Sequence, residues 1–310
     1  MQIETDQDTC YDTQGTQIDC QDSGHDASYK RLGRPYFANR FEVTDGSVKD
    51  TLSGLVWKKH AGLSEFPLSW PEALEFVEQL NNSPEPLGNV WRLPSRRELF
   101  SLLSHQHVNP TLPLNHPFSD VFNGYYWTGT SCARLPDQAW YVHMGGGRVN
   151  RGMKHGSYMV WPVRGQMHTS RNVPARFSTT DGVYLDRHTG RYWYTGSDLA
   201  SRPCTWDEAL GAIRDLNNAR KNRFSNWRLP NIRELESLVD DNRHSPAFAP
   251  GFPLAAARTS GYWSSTTSIY EPRYAWVLYC TDGSIGVGFK VQKEFHVLPV
   301  RHDHADDRIV

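Results

Sequence analysis

The sequence lacks a charge imbalance that would point to nucleic acid or to an anionic membrane surface. Its 33 Lys and Arg residues nearly match its 34 Asp and Glu residues, so the formal net charge is −1. The local exception is residues 1–26, which contain seven acidic residues and no Lys or Arg. We interpret this segment as a solvated, partly mobile leader, and we predict no nucleic-acid partner.

Long apolar runs and catalytic motifs are also missing. No stretch approaches the roughly 18 apolar residues of a membrane span, and no basic start followed by an apolar run marks a signal peptide. The sequence has no P-loop, H-E-x-x-H or G-x-S-x-G pattern, and no C-x-x-C pair that would indicate structural zinc. We therefore predict no membrane span and no catalytic residue.

Cysteines are few, and their spacing bears on the redox compartment. Cys10 and Cys20 flank YDTQGTQID, a Gly-containing polar stretch that can turn back, so we predict a disulfide between them. Cys204 and Cys280 form a second candidate pair, which would leave Cys132 over. Disulfides indicate an oxidising compartment. We expect an extracytoplasmic protein whose signal peptide lies outside this numbering.

What the sequence does contain is a long internal repeat. WRLPSRREL (91–99) recurs as WRLPNIREL (227–235), 136 residues later. The same offset matches several tryptophans, namely Trp57 with Trp193, Trp70 with Trp206, Trp127 with Trp263 and Trp140 with Trp276. Solenoid repeats recur about every 20 to 50 residues, so this longer period indicates a duplicated domain. The predicted parts are an acidic segment (1–35), domain 1 (36–166), a linker (167–175), domain 2 (176–304) and a tail (305–310).

Each copy contains the pattern of two helices. SWPEALEFVEQLNN (69–82) and TWDEALGAIRDLNN (205–218) have apolar residues at helical spacing, and each ends in an Asn pair suited to a left-handed helix end. Four pairs fit the capping box, in which side chains at a helix start bond exposed backbone amides. They are Ser69 with Glu72, Thr205 with Glu208, Ser95 with Glu98, and Asn231 with Glu234.

The repeated WRLP motif is interpreted as structural. Its Pro bends the chain into the second helix, its Trp fills the core, and its Arg anchors a loop or an acid. The structural residues predicted on this basis are Trp91, Arg92, Pro94, Glu98, Trp227, Arg228, Pro230 and Glu234. Strand patterns follow the motif in both copies, with tight turns at residues 145–147 and 282–283. Hairpin, helix, helix and sheet together predict an α+β fold, with two helices packed on antiparallel sheets in each copy.

The ordered set of motifs resembles the Lcl C-terminal-domain family. In the first copy the resemblance is carried by TCYDTQGTQIDC, VTDGSVKDTLSGLVW, WRLPSRREL, YYWTGT, AWYVHM and VWPVR. In the second copy it is carried by DGVYLDRHTGRYW, WRLPNIREL, YWSSTTS, AWVLYC and VLPVR. This family forms the globular head of bacterial collagen-like adhesins and is grouped with C-type lectin-like folds. The resemblance therefore implies two tandem lectin-like domains, with a more distant similarity to formylglycine-generating enzymes in the RLP-x-x-x-E helix start.

The family resemblance implies binding through loops and one sheet face, since some relatives are surface adhesins for sulfated polysaccharides and others of the fold are diversified receptors. A fold hosts many functions, so it leaves the ligand open. We expect a non-enzymatic bacterial surface or secreted protein, adhesin-like or receptor-like, that recognises a glycan or a protein. Two alternatives stay open: an oxidative enzyme of the formylglycine-generating type, and a structural subunit of a larger surface assembly. The oligomeric state is also open.

The calcium-dependent sugar site of C-type lectins is not matched. EPR (271–273) lacks the amide oxygen of an E-P-N loop, no W-N-D strand occurs, and the Asp-Gly turns lack alternating ligands. We predict no cofactor, with calcium as the alternative that the acidic turns leave open. Formylglycine-generating enzymes use a late pair of closely spaced cysteines, and Cys280 has no such neighbour.

The candidate ligand-binding residues lie between the first and second sheet strands of each copy. STTSIYEPRYAW in the second copy offers Ser268, Tyr270, Arg273 and Tyr274. Tyr and Arg combine a large contact area with adaptable hydrogen bonds, which is typical of binding hot spots. The equivalent GTSCARLPDQAW of the first copy offers Arg134 and Asp137.

Overall fold

The computed structural model divides into two compact units with the same order of helices and strands. One spans Arg34–Thr169, and the other spans Ser170–Val310 together with Ile3–Gly33. The structure describes residues 4–32, 40–82, 90–166, 175–180, 183–194, 196, 199, 202–219, 224–252 and 261–302. The predicted linker (167–175) lies almost entirely outside these ranges, and the predicted tail (305–310) lies wholly outside them.

The N-terminal segment has its own small structure. Strands β1 (Cys10–Tyr11) and β2 (Gln17–Ile18) form an antiparallel hairpin, and a 3₁₀ helix covers Asp26–Leu32. The predicted disulfide between Cys10 and Cys20 is present, which confirms that prediction. The second candidate pair does not form, because neither Cys204 nor Cys280 is in a disulfide. They contact different elements, because the Cys204 thiol bonds the carbonyl of Phe295 whereas the Cys280 carbonyl accepts from the amide of residue 247.

The first unit consists of a four-stranded sheet, two helices and a three-stranded meander. Its elements are β3 (Phe41–Thr44), β4 (Ser47–Asp50), β5 (Val56–Lys58), α1 (Trp70–Leu80), α2 (Arg96–Leu102), β6 (Tyr125–Ser131), β7 (Gln138–His143), β8 (Val149–Met153) and β9 (Val163–Arg164). Strands β3, β4, β5 and β9 pair antiparallel in that order, and so do β6, β7 and β8. Because β9 pairs with β5, the last strand closes the unit against its first hairpin.

The second unit repeats this plan. Its elements are β10 (Phe177–Thr180), β11 (Val183–Asp186), β12 (Arg191–Tyr194), α3 (Trp206–Ala219), α4 (Ile232–Ser237), β13 (Gly261–Thr267), β14 (Tyr274–Tyr279), β15 (Ile285–Phe289) and β16 (Val300–His302). Strands β10, β11, β12 and β16 form one antiparallel sheet, and β13, β14 and β15 form the meander. Even the cis prolyl bonds at Asn109–Pro110 and Ser245–Pro246 occur at equivalent positions. The prediction of two repeated α+β domains is confirmed.

The repeated tryptophans lie in the cores, as predicted. Trp127 and Trp263 are fully buried, and Trp140 and Trp276 are only 2% and 4% exposed. Trp127 packs in one core cluster with Ala73 and Val77 of α1, and Trp263 packs in the other with Ala209 and Ile213 of α3. Their repetition is therefore explained by packing.

The WRLP motif starts a helix in each unit. At α2 the Glu98 carboxylate accepts from the Ser95 amide (2.7 Å), and the Glu98 amide donates to the Ser95 hydroxyl (3.2 Å). Asn231 and Glu234 make the same reciprocal pair at α4, with both bonds at 2.9 Å. Each exchange satisfies two backbone amides at the first turn that no helical carbonyl can reach. The predicted capping boxes are thus confirmed at both motifs.

The Asn pairs have a different role from the one predicted. Asn81 has φ −86°, in the right-handed region, so a left-handed helix end was wrong. Its side chain instead bonds both the amide and the carbonyl of Trp91, at 2.8 and 2.9 Å. Asn217, which lies inside α3, makes the same two bonds to Trp227, both at 2.8 Å. Each Asn side chain therefore links the preceding helix to the Trp of the WRLP motif.

Candidate functional site

Two equivalent loops connect the first and second meander strands, residues 132–137 in the first unit and 268–273 in the second. The Cys132 amide donates to the Gln138 carbonyl (3.0 Å), and the Ser268 amide donates to the Tyr274 carbonyl (2.9 Å). These bonds continue the strand pairing into each loop. Both loops are therefore held at their bases by the same backbone contacts.

A second backbone contact holds the last residue of each loop. The Lys154 amide donates to the Asp137 carbonyl at 2.9 Å, and the Lys290 amide donates to the Arg273 carbonyl at 3.1 Å. Each lysine is the first residue after the third meander strand of its unit. Side chains on these loops are therefore displayed from a defined backbone.

The predicted contact residues of the second unit differ in accessibility. Tyr270 is 63% exposed, and Arg273 is exposed beside Glu271, with an N–O distance of 3.0 Å. Tyr274 is half-buried against Phe289, with ring centroids 5.1 Å apart. Tyr270 and Arg273 are thus the accessible members.

Ser268 does not belong to the exposed set. It is only 3% exposed, and its backbone amide forms the base of the loop. Its predicted role as a contact residue is corrected to one of support, because the strand pairing turns it inward. In the first unit, Arg134 and Asp137 are both exposed on the equivalent loop.

The N-terminal segment makes specific contacts with the second unit beside this loop, whereas we predicted a solvated, partly mobile leader. We call residues 4–32 the cap segment. The Gln7 side-chain amide bonds the backbone carbonyl and amide of Thr267, at 2.7 and 2.8 Å. A Cβ added at Gly15 would lie 3.1 Å from Cγ of Arg273. The cap segment is held by specific contacts, which its acidic composition did not reveal.

Lys290 is the centre of the cap contact. It is fully buried, and its ammonium group donates to the backbone carbonyls of Tyr11 (2.7 Å) and Asp12 (3.2 Å). The same ammonium lies 4.3 Å from the ring centroid of Trp206. Burial lowers the pKa of Lys290 to about 7, against the raising effect of Asp207 and Asp12. The cap carbonyls therefore replace the water that an exposed lysine would have.

Asp26 and His25 are buried in the same contact with opposite pKa shifts. Burial raises the pKa of Asp26 to about 6, although the hydroxyls of Thr266 and Thr5 both donate to its carboxylate at 2.6 Å. The His25 ring lies 4.5 Å from that of Trp206. Burial lowers the pKa of His25 to about 4, and the charge of Lys290 adds to this effect.

We expect the contributions of Asp26 and His25 to the pH dependence of the free energy of unfolding to cancel between about pH 4 and 6. In this window the folded protein holds a proton on Asp26, while the unfolded chain holds one on His25, whose pKa there is about 6.5. Asp26→Asn should make the protein lose on the order of 2–3 kcal/mol as pH falls from about 6.5 to 4, because only the unfolded chain then takes up a proton. His25→Gln should instead make the protein gain stability as the pH falls over this range, because only the folded protein then takes up a proton, on Asp26. Urea unfolding at several pH values measures both, and equal slopes for the two variants would contradict the assignment.

Neither a metal site nor an activated thiol is evident in the described ranges. No cluster of three or more His, Cys, Asp or Glu side chains suited to a metal ion occurs among those residues. Burial raises the pKa of the Cys204 thiol to about 11, so this thiol is protonated at neutral pH. What the site offers chemically is a set of hydrogen-bonding and aromatic contacts on fixed loops.

The sequence interpretation missed the residues under the cap segment. Lys154 and Lys290, and Thr130 and Thr266, are matched by the same offset of 136 as the tryptophans. That equivalence was available as a signal, but nothing in the local pattern indicated that one lysine is buried and the other partly exposed.

A family model described as the Lcl C-terminal domain matches the chain twice, over residues 46–164 and 182–301. The two matches follow the two units of the structure. No curated protein matches the sequence. Among the described residues, no helix has both the length and the apolar character needed to cross a membrane.

Proposed function

The chain belongs to the Lcl C-terminal domain family, and from that premise we propose that it is a non-enzymatic, extracytoplasmic binding protein. In this proposal each unit is a C-type lectin-like domain, and the protein captures a glycan or a protein ligand in the manner of an adhesin or receptor. The disulfide between Cys10 and Cys20 supports a location outside the reducing cytosol.

The observation that carries the proposal is the exposed aromatic and basic pair on the loop 268–273. Tyr270 is 63% exposed, although large apolar rings are usually covered in a folded protein. Arg273 stands on the same loop, and its carbonyl is fixed by Lys290. A rigid backbone lowers the entropy lost when such side chains bind a ligand. These two side chains on a fixed loop favour ligand binding over catalysis.

We expect the double variant Tyr270→Ala, Arg273→Ala to weaken ligand capture by about tenfold or more, as for truncated hot-spot residues. Both side chains are exposed, so the free energy of unfolding should change by no more than about 0.5 kcal/mol. Binding is measured on a glycan array that includes sulfated polysaccharides, and on immobilised extracellular matrix proteins.

The matched control is Arg134→Ala with Asp137→Ala on the equivalent loop of the first unit. This pair reports whether the first loop takes part in capture. Unchanged binding of the Tyr270 and Arg273 variant, or loss of folding in that variant, counts against the proposal. Binding that does not fall with added salt argues against a sulfated polymer as the ligand.

A further inference from the structure

The two units present the same surface, but the cap segment covers only one copy of it. We define the capped face by five residues of the second unit, Trp206, Leu210, Arg228, Thr266 and Lys290. We define the open face by their equivalents in the first unit, Trp70, Leu74, Arg92, Thr130 and Lys154. Each pair is related by the offset of 136 residues, and all five residue types are identical.

The geometry of the two faces is also the same. The Lys154 ammonium lies 4.3 Å from the ring centroid of Trp70, as Lys290 does from Trp206. The Trp70 indole N–H donates to a strand carbonyl at 2.8 Å, and that of Trp206 does so at 2.7 Å. The open face is therefore built in the form that binds the cap segment on the other unit.

The hydroxyls at the end of the first meander strand show the same equivalence. Thr130 Oγ1 accepts from the Arg96 amide at 3.0 Å, and Thr266 Oγ1 accepts from the Ile232 amide at 3.1 Å. In the second unit the Thr266 hydroxyl then donates to the Asp26 carboxylate. Among the described residues, the Thr130 hydroxyl has no acceptor.

Exposure separates the two faces. Leu74 is 40% exposed and Leu210 is 6% exposed, and the side chain of Arg92 is 39% exposed whereas that of Arg228 is 9% exposed. Strand β13 is buried along its whole length, while β6 ends in exposed residues. Within the described part of the chain, the Lys154 ammonium has no hydrogen-bond acceptor.

The cap segment shows which chemistry fits such a face. It supplies a carboxylate to the Thr266 hydroxyl, two turn carbonyls to the Lys290 ammonium, and an imidazole ring to Trp206. Tyr29 lies against Arg228, with a distance of 5.3 Å from the guanidinium carbon to the ring centroid. The segment is acidic, and two of the cations that contact it, Arg228 and Lys290, recur on the open face as Arg92 and Lys154. The positive charges and the hydrogen-bond donors of the open face are thus complementary to an acidic peptide.

We propose that the open face binds an acidic, turn-containing peptide segment of a partner protein, with the chemistry of the cap segment. The partner is a different protein because the cap of each copy is already bound to its own second unit. Two of the cap contacts have no counterpart: Arg191, which faces Glu4 at 3.8 Å, is replaced by Leu55 in the first unit, and Arg273, which lies beside Gly15, is replaced by Asp137. The proposal does not depend on ligand capture by the loop 268–273.

The probe is the oxidised synthetic peptide of residues 4–32, labelled with a fluorophore and titrated with the full chain. We expect one peptide to bind per chain. Lys154→Ala should weaken binding about tenfold or more, and Thr130→Val should weaken it severalfold, because each removes a hydrogen-bond donor to the peptide. Lys154→Arg should retain part of the affinity. Lys49→Ala is the matched control for loss of one exposed positive charge in the same unit, and it should leave binding unchanged.

Three results would overturn the proposal. The first is no binding of the oxidised peptide at millimolar concentration, with all variants folded by circular dichroism. The second is binding that Lys290→Ala abolishes and Lys154→Ala does not, which would place the peptide on the capped face. The third is dimerisation of the full chain that Lys154→Ala prevents, measured by sedimentation, which would make a second copy the occupant.

Discussion

Glu234→Ala is expected to destabilise the second unit by about 3–5 kcal/mol, the range for breaking a buried ion pair. The Glu234 carboxylate is fully buried and accepts from two nitrogens of Arg228, at 2.7 and 2.6 Å, and from Arg191 at 2.8 Å. It also accepts from the Asn231 amide at the helix start. Removing it leaves two buried guanidinium groups without their carboxylate. Urea unfolding, with hydrogen exchange to resolve the units, measures the loss.

The first unit contains the matched control. Glu98 forms the same capping box and the same two bonds to Arg92, both at 2.7 Å. However, Arg92 is 39% exposed, and Leu55 stands where the second unit has Arg191. Water can therefore solvate Arg92 once its partner is gone, and Glu98→Ala should cost only about 1–2 kcal/mol. Equal losses in the two units would show that burial is not the cause.

Replacing Cys10 and Cys20 by Ser is expected to weaken docking of the cap segment by roughly 3 kcal/mol, as the chain-entropy model gives for a short closed loop. The carbonyls that receive Lys290 belong to Tyr11 and Asp12, which lie inside the loop that this disulfide closes. Without the crosslink, more conformations of the loop compete with the docked one. Hydrogen exchange should show lost protection in β13, where Gln7 bonds Thr267.

The control for the disulfide is reduction of the unmodified protein. A thiol-free reductant should produce the same loss of protection in β13, and it should have no further effect on the double Ser variant. Cys132→Ser tests a buried free cysteine of the first unit and should leave the cap segment docked. Unchanged protection in the double variant would mean that the cap contacts hold without the crosslink.

Much of the fold could be predicted because its signals are local or repeated. The capping boxes at Ser95 and Asn231 depend on residues three positions apart, and both are present in the structure. The matched tryptophans in the sequence indicate two cores. Ser268 shows the limit of this approach, because a hydroxyl in a loop sequence gives no indication of which way the strand pairing turns it.

The sequence by itself determined the duplication, the helix starts, the buried tryptophans and the disulfide of the N-terminal hairpin. Each of these depends on the spacing of residues along the chain, which can be read directly from the sequence. Only the tertiary structure decided that the acidic segment covers this face of the second unit and leaves the equivalent face of the first unit partly exposed. That choice depends on contacts between residues far apart, such as Asp26 with Thr266 and Tyr11 with Lys290, at separations of 240 and 279 residues. Local patterns contain no information on such distant pairs, because the five residues that define each face are identical in the two units.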